Sequence, residues 1–178
     1  MIYLLLGGAR SGKSSLAEEM ALNLEGDEVY YLATARSGDD EMKKRIENHK
    51  KNRPASWQTI EEPLSPGEAI SSLPFSSIIL LDCITMLVSN LLLEESEVDR
   101  ELLVKKEIEK IIKEGENRNL IIVTNEVGMG IVPDKKLARK YRDLLGWTNQ
   151  YLAQKANRVY LVVAGIPVEL KELKAKLT

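Results

Sequence analysis

Gly7-Gly8-Ala9-Arg10-Ser11-Gly12-Lys13-Ser14 fits the pattern G-x-x-x-x-G-K-[ST] without a mismatch. Small residues let a backbone curl until successive N–H groups point inward at phosphate oxygens. A helix that follows such a loop adds the positive end of its dipole. In this arrangement Lys13 reaches the β- and γ-phosphates, and the Ser14 hydroxyl ligates Mg²⁺. The plain alternative is a glycine-rich turn that binds nothing. Here, however, the apolar run 2–6 precedes the loop, and Leu16, Met20 and Leu24 recur at helical steps over 13–24. That is the strand–loop–helix setting the mechanism needs, so the eight residues are read as a site for the phosphates of ATP or GTP.

Beyond the loop, strand-like and helix-like stretches alternate. Residues 29–34 read as a second strand, and Asp39-Asp40-Glu41 opens a helix carrying Met42 and Ile46, which Pro54 stops. Residues 57–61 read as a short strand and 66–73 as a short helix. Residues 78–81 are a continuous apolar run, typical of a strand covered on both faces. Ser96 is expected to start a long helix whose Val104, Ile108, Ile111 and Ile112 form one stripe. Residues 120–124 and 159–164 are further buried-strand candidates, with a helix over 136–156 between them and an amphipathic tail over 169–177. Alternation of this kind predicts an α/β fold: a mainly parallel sheet with helices on both faces, in one domain over 1–178.

Composition sets limits on partners. The 178 residues are 44% hydrophobic and 29% charged, with a formal net charge of -2. That is globular rather than disordered, and it gives no global basic footprint for nucleic acid. Cys83 is the single cysteine, so no intrachain disulfide forms and a reducing compartment fits. The first residues lack the features of a secretory leader, and no apolar run approaches the ~20 residues of a membrane span. The cytoplasm is the expected location.

Asp82 ends the apolar run 78–81, where a carboxylate holds Mg²⁺ directly or through water. Cys83 beside it reads as a small buried residue. Neither Asn125-Glu126-Val127-Gly128 nor Cys83-Ile84-Thr85 carries the guanine-reading or switch motif of a signalling GTPase. Glu126, just past a strand end, stands where α/β proteins place ligand contacts. His49, the only histidine, shares a helical face with Met42 and Ile46, which suits a packed side chain. Arg45, Lys50, Lys51 and Arg53 around it suit a phosphate-facing nucleophile kept neutral by nearby cations. Spacing leaves both readings open.

Taken together, these residues resemble the bifunctional adenosylcobinamide kinase/adenosylcobinamide-phosphate guanylyltransferase family of cobalamin biosynthesis. The likeness runs from residues 7–14 through Tyr31-Leu32-Ala33-Thr34, Asp40-Glu41-Met42, Arg45-Ile46, His49-Lys50, Arg53-Pro54-Ala55 and Trp57. It continues through Leu81-Asp82-Cys83-Ile84-Thr85 to the run Val123-Thr124-Asn125-Glu126-Val127-Gly128-Met129-Gly130-Ile131-Val132-Pro133, which is more specific than the phosphate loop. Ala164-Gly165-Ile166 ends it.

The resemblance implies a RecA-like P-loop NTPase sheet and two reactions. ATP or GTP phosphorylates the aminopropanol hydroxyl of adenosylcobinamide. GTP then converts adenosylcobinamide phosphate into adenosylcobinamide-GDP through a GMP-histidine intermediate, releasing pyrophosphate. It implies His49 as the guanylylated residue beside catalytic Lys13. Nucleotide contacts fall on Gly7, Gly8, Ala9, Arg10, Ser11, Gly12, Lys13, Ser14, Thr34, Ala35, Arg36, Lys50, Lys51, Asn52, Arg53, Glu61 and Asp82, with Ser14 and Asp82 at the metal. It also implies a homo-oligomer, a trimer. Met129, Ile131 and Val132 fall where an apolar corrinoid-facing surface is expected, with plain loop packing as the alternative. Asp82 stands where some members carry the longer Glu, residues 93–99 are short for the family, and some relatives keep one activity. The rival readings are a P-loop kinase with a structural His49 and a non-catalytic nucleotide-regulated binding module.

Overall fold

The computed structural model describes residues 1–26, 28–36, 53–94 and 99–175. Its strands are β1 (Ile2–Leu6), β2 (Val29–Ala33), β3 (Gln58–Glu61), β4 (Ile78–Asp82), β5 (Asn119–Val123), β6 (Arg158–Val163) and β7 (Ile166–Glu169). They form one sheet in the order β3-β2-β4-β5-β1-β6-β7. Every pairing is parallel except β6 with β7. Among the described residues the helices are α1 (Lys13–Asn23), α2 (Pro66–Ser71), α3 (Ile84–Leu93), α4 (Arg100–Gly115) and α5 (Lys136–Lys155).

Parallel strands reached by crossovers must be covered on both faces, and their side chains alternate between the two. Tyr3, Leu5, Tyr31, Ile78, Leu80, Ile121 and Val123 face Ala17 and Ala21 of α1. Leu4, Leu32, Ile79, Leu81, Leu120 and Ile122 face the other way, onto Ile70 of α2, Leu87 of α3, Ile108 and Ile111 of α4 and Leu145 of α5. Each fully buried Leu or Ile here contributes roughly 1.5–3 kcal/mol against solvent exposure. The expected two-faced, mainly parallel α/β sheet is therefore the observed one. β5 lies between β1 and β4, so the phosphate-loop strand and the Asp82 strand are two places apart.

Several local expectations are corrected. The buried face of α1 is Lys13, Ala17 and Ala21 rather than Leu16, Met20 and Leu24, which are half-buried at its flanks. Alanines let the helix backbone approach the sheet closely, and the longer side chains splay around the contact. The sequence pattern does not announce α3, because Leu87, Val88, Leu91 and Leu92 are all buried and the apolar residues outnumber any one face. The helix expected to open at Ser96 is capped by Asp99, whose side chain accepts from the Glu101 N–H at 3.0 Å. Ser96 itself lies outside the described residues, as does the helix expected from Asp39.

β6 is not buried throughout: Val163 is 57% exposed near the edge of the sheet. Over the described part of the amphipathic tail expected at 169–177, Glu169 instead ends a hairpin strand. Ala164 (φ 52°) and Gly165 (φ 81°) make a two-residue turn, after which β7 runs back antiparallel to β6. Turns with two positive φ angles match the twist of hairpin strands. Residues 170–173 then form turns. None of the described helices is long and apolar enough to cross a membrane.

Candidate active site

β1 delivers the chain into the phosphate loop at the carboxyl edge of the sheet. Arg10 (φ 57°) and Gly12 (φ 96°) have positive φ angles, which turn successive N–H groups toward one side. Gly12 caps α1 without a side-chain acceptor, and the first turn of α1 carries no acidic residue. The helix start is thus left for an external anion. Lys13 is 6% exposed, and its ammonium donates to the Gly8 carbonyl at 2.5 Å and to Ser11 Oγ at 3.3 Å. A cation folded into a concavity of N–H donors is arranged to receive phosphate.

Neighbouring elements brace the loop. A Cβ on Gly7 would collide with the Val162 carbonyl oxygen of β6, and one on Gly12 would lie 3.1 Å from Gly165 Cα. The Gly165 N–H donates to the Ser11 carbonyl at 2.8 Å. The β6–β7 turn therefore fixes the loop from one side, which explains why a larger residue has no room there. On the other side, the Glu126 N–H donates to the Gly7 carbonyl at 3.0 Å.

The register aligns the other candidates. Ala33 sits opposite both Glu61 and Asp82, Asp82 opposite Val123, and Val123 opposite Leu5. Two strand spacings put the Asp82 backbone roughly 10 Å from β1. Asp82 Oδ2 accepts from the Tyr31 hydroxyl at 2.7 Å. Asp82 and the Ser14 hydroxyl are hard oxygen donors. No group of three or more His, Cys, Asp or Glu among the described residues could hold a metal. Mg²⁺ suits such a sparse set, because it takes one or two protein ligands and completes its octahedron with phosphates and water.

Thr34, Ala35 and Arg36 follow β2 at the same edge. The Thr34 side chain is fully buried: its hydroxyl donates to the Cys83 carbonyl at 2.6 Å and accepts from the Cys83 N–H at 2.9 Å. Asn90 of α3 holds the Thr34 carbonyl at 2.8 Å. Thr34 thus braces the β2 and β4 ends, and Asn90 is a participant that spacing did not reveal. Arg36 pairs with Glu94 at 2.9 Å in an exposed position. Glu61 is exposed at the end of β3. Arg53 turns inward, 6% exposed in its side chain, with its guanidinium 3.1 Å from the centre of the Tyr31 ring and Nε 3.8 Å from Glu18 of α1. His49, Lys50, Lys51 and Asn52 lie outside the described residues. Burial, and next the Asp82 charge, push the Cys83 thiol up to about 12, so it is an inert packing group at neutral pH.

The β5–α5 connection is pinned at both ends. Thr124 donates to Asn149 Oδ1 at 2.9 Å, Asn149 donates to the Asn125 carbonyl at 3.0 Å, and the Asn125 N–H donates to Thr85 Oγ1 at 2.8 Å. Arg139 holds the Pro133 carbonyl at 2.9 Å. Glu126 accepts from the Gly128 N–H, so its carboxylate closes its own loop. Between these anchors Met129 is 84%, Ile131 96% and Val132 62% exposed. These three side chains stand in solvent between the anchored ends of the connection.

Residues 3–170 match the family model described as cobinamide kinase / cobinamide phosphate guanyltransferase. The bifunctional adenosylcobalamin biosynthesis protein CobU of Escherichia coli (strain K12) is 42% identical over 183 residues, covering 96% of this chain and 100% of that one. The bifunctional adenosylcobalamin biosynthesis protein CobP of Pseudomonas aeruginosa is 43% identical over 173 residues, covering 94% of this chain and 96% of that one. Among solved structures, an ATPase domain aligns over 90% of this chain and 68% of its own, with a TM-score of 0.52 at 14% identity, a likeness of fold. By length matched and by identity, the chain belongs to the cobinamide kinase / cobinamide phosphate guanyltransferase family.

Proposed function

We propose that this chain phosphorylates adenosylcobinamide with ATP or GTP and then guanylylates the product from GTP. The observation that carries the reading is the braced phosphate loop, with the Lys13 ammonium held inside it. In the first step the acceptor hydroxyl oxygen attacks the γ-phosphorus, the bond to the β-γ bridging oxygen breaks, and ADP or GDP leaves. The hydroxyl proton passes to solvent or to a nearby carboxylate. Lys13 and the loop N–H groups carry the charge that spreads over the phosphate oxygens as that bond breaks. Ser14 and Asp82 are the residues that would hold Mg²⁺, which when bound neutralises charge on the β- and γ-oxygens.

In the second step an unprotonated ring nitrogen of His49 attacks the α-phosphorus of GTP and pyrophosphate leaves. An oxygen of adenosylcobinamide phosphate then attacks the same phosphorus, the P–N bond breaks, and adenosylcobinamide-GDP forms with His49 restored. Two displacements replace one difficult transfer. Ala35, Arg36, Lys50, Lys51, Asn52, Arg53 and Glu61 are proposed to contact the nucleotide on the strength of the family likeness. Thr34 is proposed to act by bracing β2 against β4 with its hydroxyl rather than by offering that hydroxyl to the nucleotide. We place the protein in the cytoplasm, where an unpaired Cys83 stays reduced.

Purified protein given GTP·Mg²⁺ should turn it over only when adenosylcobinamide is added. GTP bound but not turned over in the presence of the acceptor would indicate a binding module and overturn the proposal. Asp82→Asn keeps the side-chain size and removes the charge that a hard cation prefers. The Mg²⁺ concentration for half-maximal activity should rise about tenfold or more, with little change in melting temperature. Superimposable Mg²⁺ titrations would remove Asp82 from the metal site.

The exposed Met129, Ile131 and Val132 form the surface proposed to receive the apolar faces of the corrin ring. Ile131→Ser should raise the KM for adenosylcobinamide about tenfold, the loss of roughly 1–2 kcal/mol of apolar burial. Reaction of the enzyme with GTP alone should not change. A homo-oligomer, a trimer, is the proposed assembly, and its interface is the other surface that could cover these residues. Light scattering on Ile131→Ser separates the two: an unchanged mass supports the corrinoid role, and dissociation assigns the cluster to the interface.

A further inference from the structure

Tyr31 lies in β2 with its ring in the core on the α1 side of the sheet, and two groups of different chemistry converge on it. Its hydroxyl donates to Asp82 Oδ2 at 2.7 Å. The Arg53 guanidinium covers its ring at 3.1 Å from the centre. Arg53 Nε in turn lies 3.8 Å from Glu18, on the helix that begins with Lys13. We propose that Tyr31 is a positioning residue for the phosphate chemistry, its hydroxyl fixing the Asp82 carboxylate and its ring fixing Arg53. One side chain then sets both the acid at the tip of β4 and a cation beside α1. The inference rests on the reading of Asp82 as a cation-facing acid.

The terminal torsion of an Asp side chain is broad, so a carboxylate at a strand tip turns freely unless something holds it. A single hydrogen bond to one oxygen removes that freedom and sets the direction of the other. Binding geometry built before the ligand arrives costs less to complete. Tyr31 is suited to this task because a phenol, with an ordinary pKa of about 10, keeps its proton at neutral pH. It therefore remains a donor there. The aromatic face supplies the second half: a guanidinium stacks on it without needing a polar acceptor. A tyrosine present for packing alone needs neither arrangement.

The test uses affinity for a fluorescent GTP analogue, measured with Mg²⁺ and with EDTA, alongside thermal melting. Tyr31→Phe keeps the ring and removes the hydroxyl. The affinity gained from Mg²⁺ should fall about tenfold, the order expected for a hydrogen bond to a charged group, while affinity in EDTA stays at the wild-type value. In an Asp82→Asn background the same substitution should add nothing, because its effect runs through that carboxylate. A structural tyrosine would instead weaken binding equally in both buffers. A full Mg²⁺ gain in Tyr31→Phe, or an undiminished effect in Asp82→Asn, would overturn the hydroxyl role. A wild type with no Mg²⁺ gain would overturn the metal reading of Asp82 together with this one. For the ring, Tyr31→Leu should lower affinity in EDTA about threefold where Tyr31→Phe does not. Arg53→Gln, which leaves the sheet core intact, should lower it similarly. Wild-type affinity in Arg53→Gln would overturn the ring's role whether or not Tyr31→Leu folds.

Discussion

Replacing Lys13 with alanine should slow phosphoryl transfer to adenosylcobinamide by a factor on the order of 10²–10³, as removal of a preorganised charge contact does. Lys13 is 6% exposed, and its ammonium is tied to the Gly8 carbonyl and Ser11 Oγ within its own loop. Nucleotide phosphates offer it stronger, charged acceptors, so those contacts exchange when substrate binds and strengthen as the γ-phosphoryl group departs. The effect should appear mainly in kcat, since the loop N–H groups still hold the ground-state phosphates. Folding should survive. Gly7, Gly12 and the β6–β7 turn brace the loop through backbone contacts that Lys13 does not make. Lys13→Met, which keeps the apolar stem, controls for lost packing and should be equally slow. Near-wild-type turnover in a folded Lys13→Ala protein would remove the loop from catalysis.

His49→Asn should abolish guanylyl transfer, by roughly 10⁴–10⁶ as for other lost nucleophiles, while phosphorylation of adenosylcobinamide continues. His49 is the only histidine, so an imidazole adduct can form nowhere else. Arg45, Lys50, Lys51 and Arg53 crowd it in sequence, and nearby cations favour the neutral imidazole that a nucleophile requires. The attacking nitrogen must come within ~3–3.5 Å of the α-phosphorus, opposite the departing pyrophosphate. Wild type mixed with GTP·Mg²⁺ should gain the mass of GMP on the peptide containing His49. The P–N bond should be lost in acid and survive base. The mutant should gain nothing. An adduct persisting in His49→Asn would place the nucleophile elsewhere.

The phosphate loop is legible in the sequence because its chemistry dictates the backbone: small residues, then a lysine, between a strand and a helix. The two-sided parallel sheet is legible for a related reason, since runs such as Ile78-Ile79-Leu80-Leu81 have nowhere to go except between two layers. α3 is not legible, because a helix buried on most sides loses the periodicity that marks a surface helix. The β6–β7 hairpin hides behind Ala164, since a positive φ at alanine is uncommon and gives no turn signal. Thr34 and Tyr31 are invisible as braces because their partners, Cys83 and Asp82, lie 49 and 51 residues away. Sequence spacing reports neighbours along one element, whereas these bonds depend on β2 pairing with β4. Arg53 illustrates the same limit: its charge suggests a nucleotide contact, and its described side chain is turned into Tyr31 and Glu18.

One experiment bears most directly on the claim that a single chain performs both transfers. The protein is given adenosylcobinamide, excess ATP labelled at the γ-phosphorus and GTP labelled at the α-phosphorus, with Mg²⁺, and the corrinoid product is analysed by mass. The account predicts adenosylcobinamide-GDP whose inner phosphorus comes from ATP and whose outer phosphorus comes from GTP, with unlabelled pyrophosphate released. Accumulation of singly labelled adenosylcobinamide phosphate, with no GTP-derived phosphorus in any corrinoid, would contradict it.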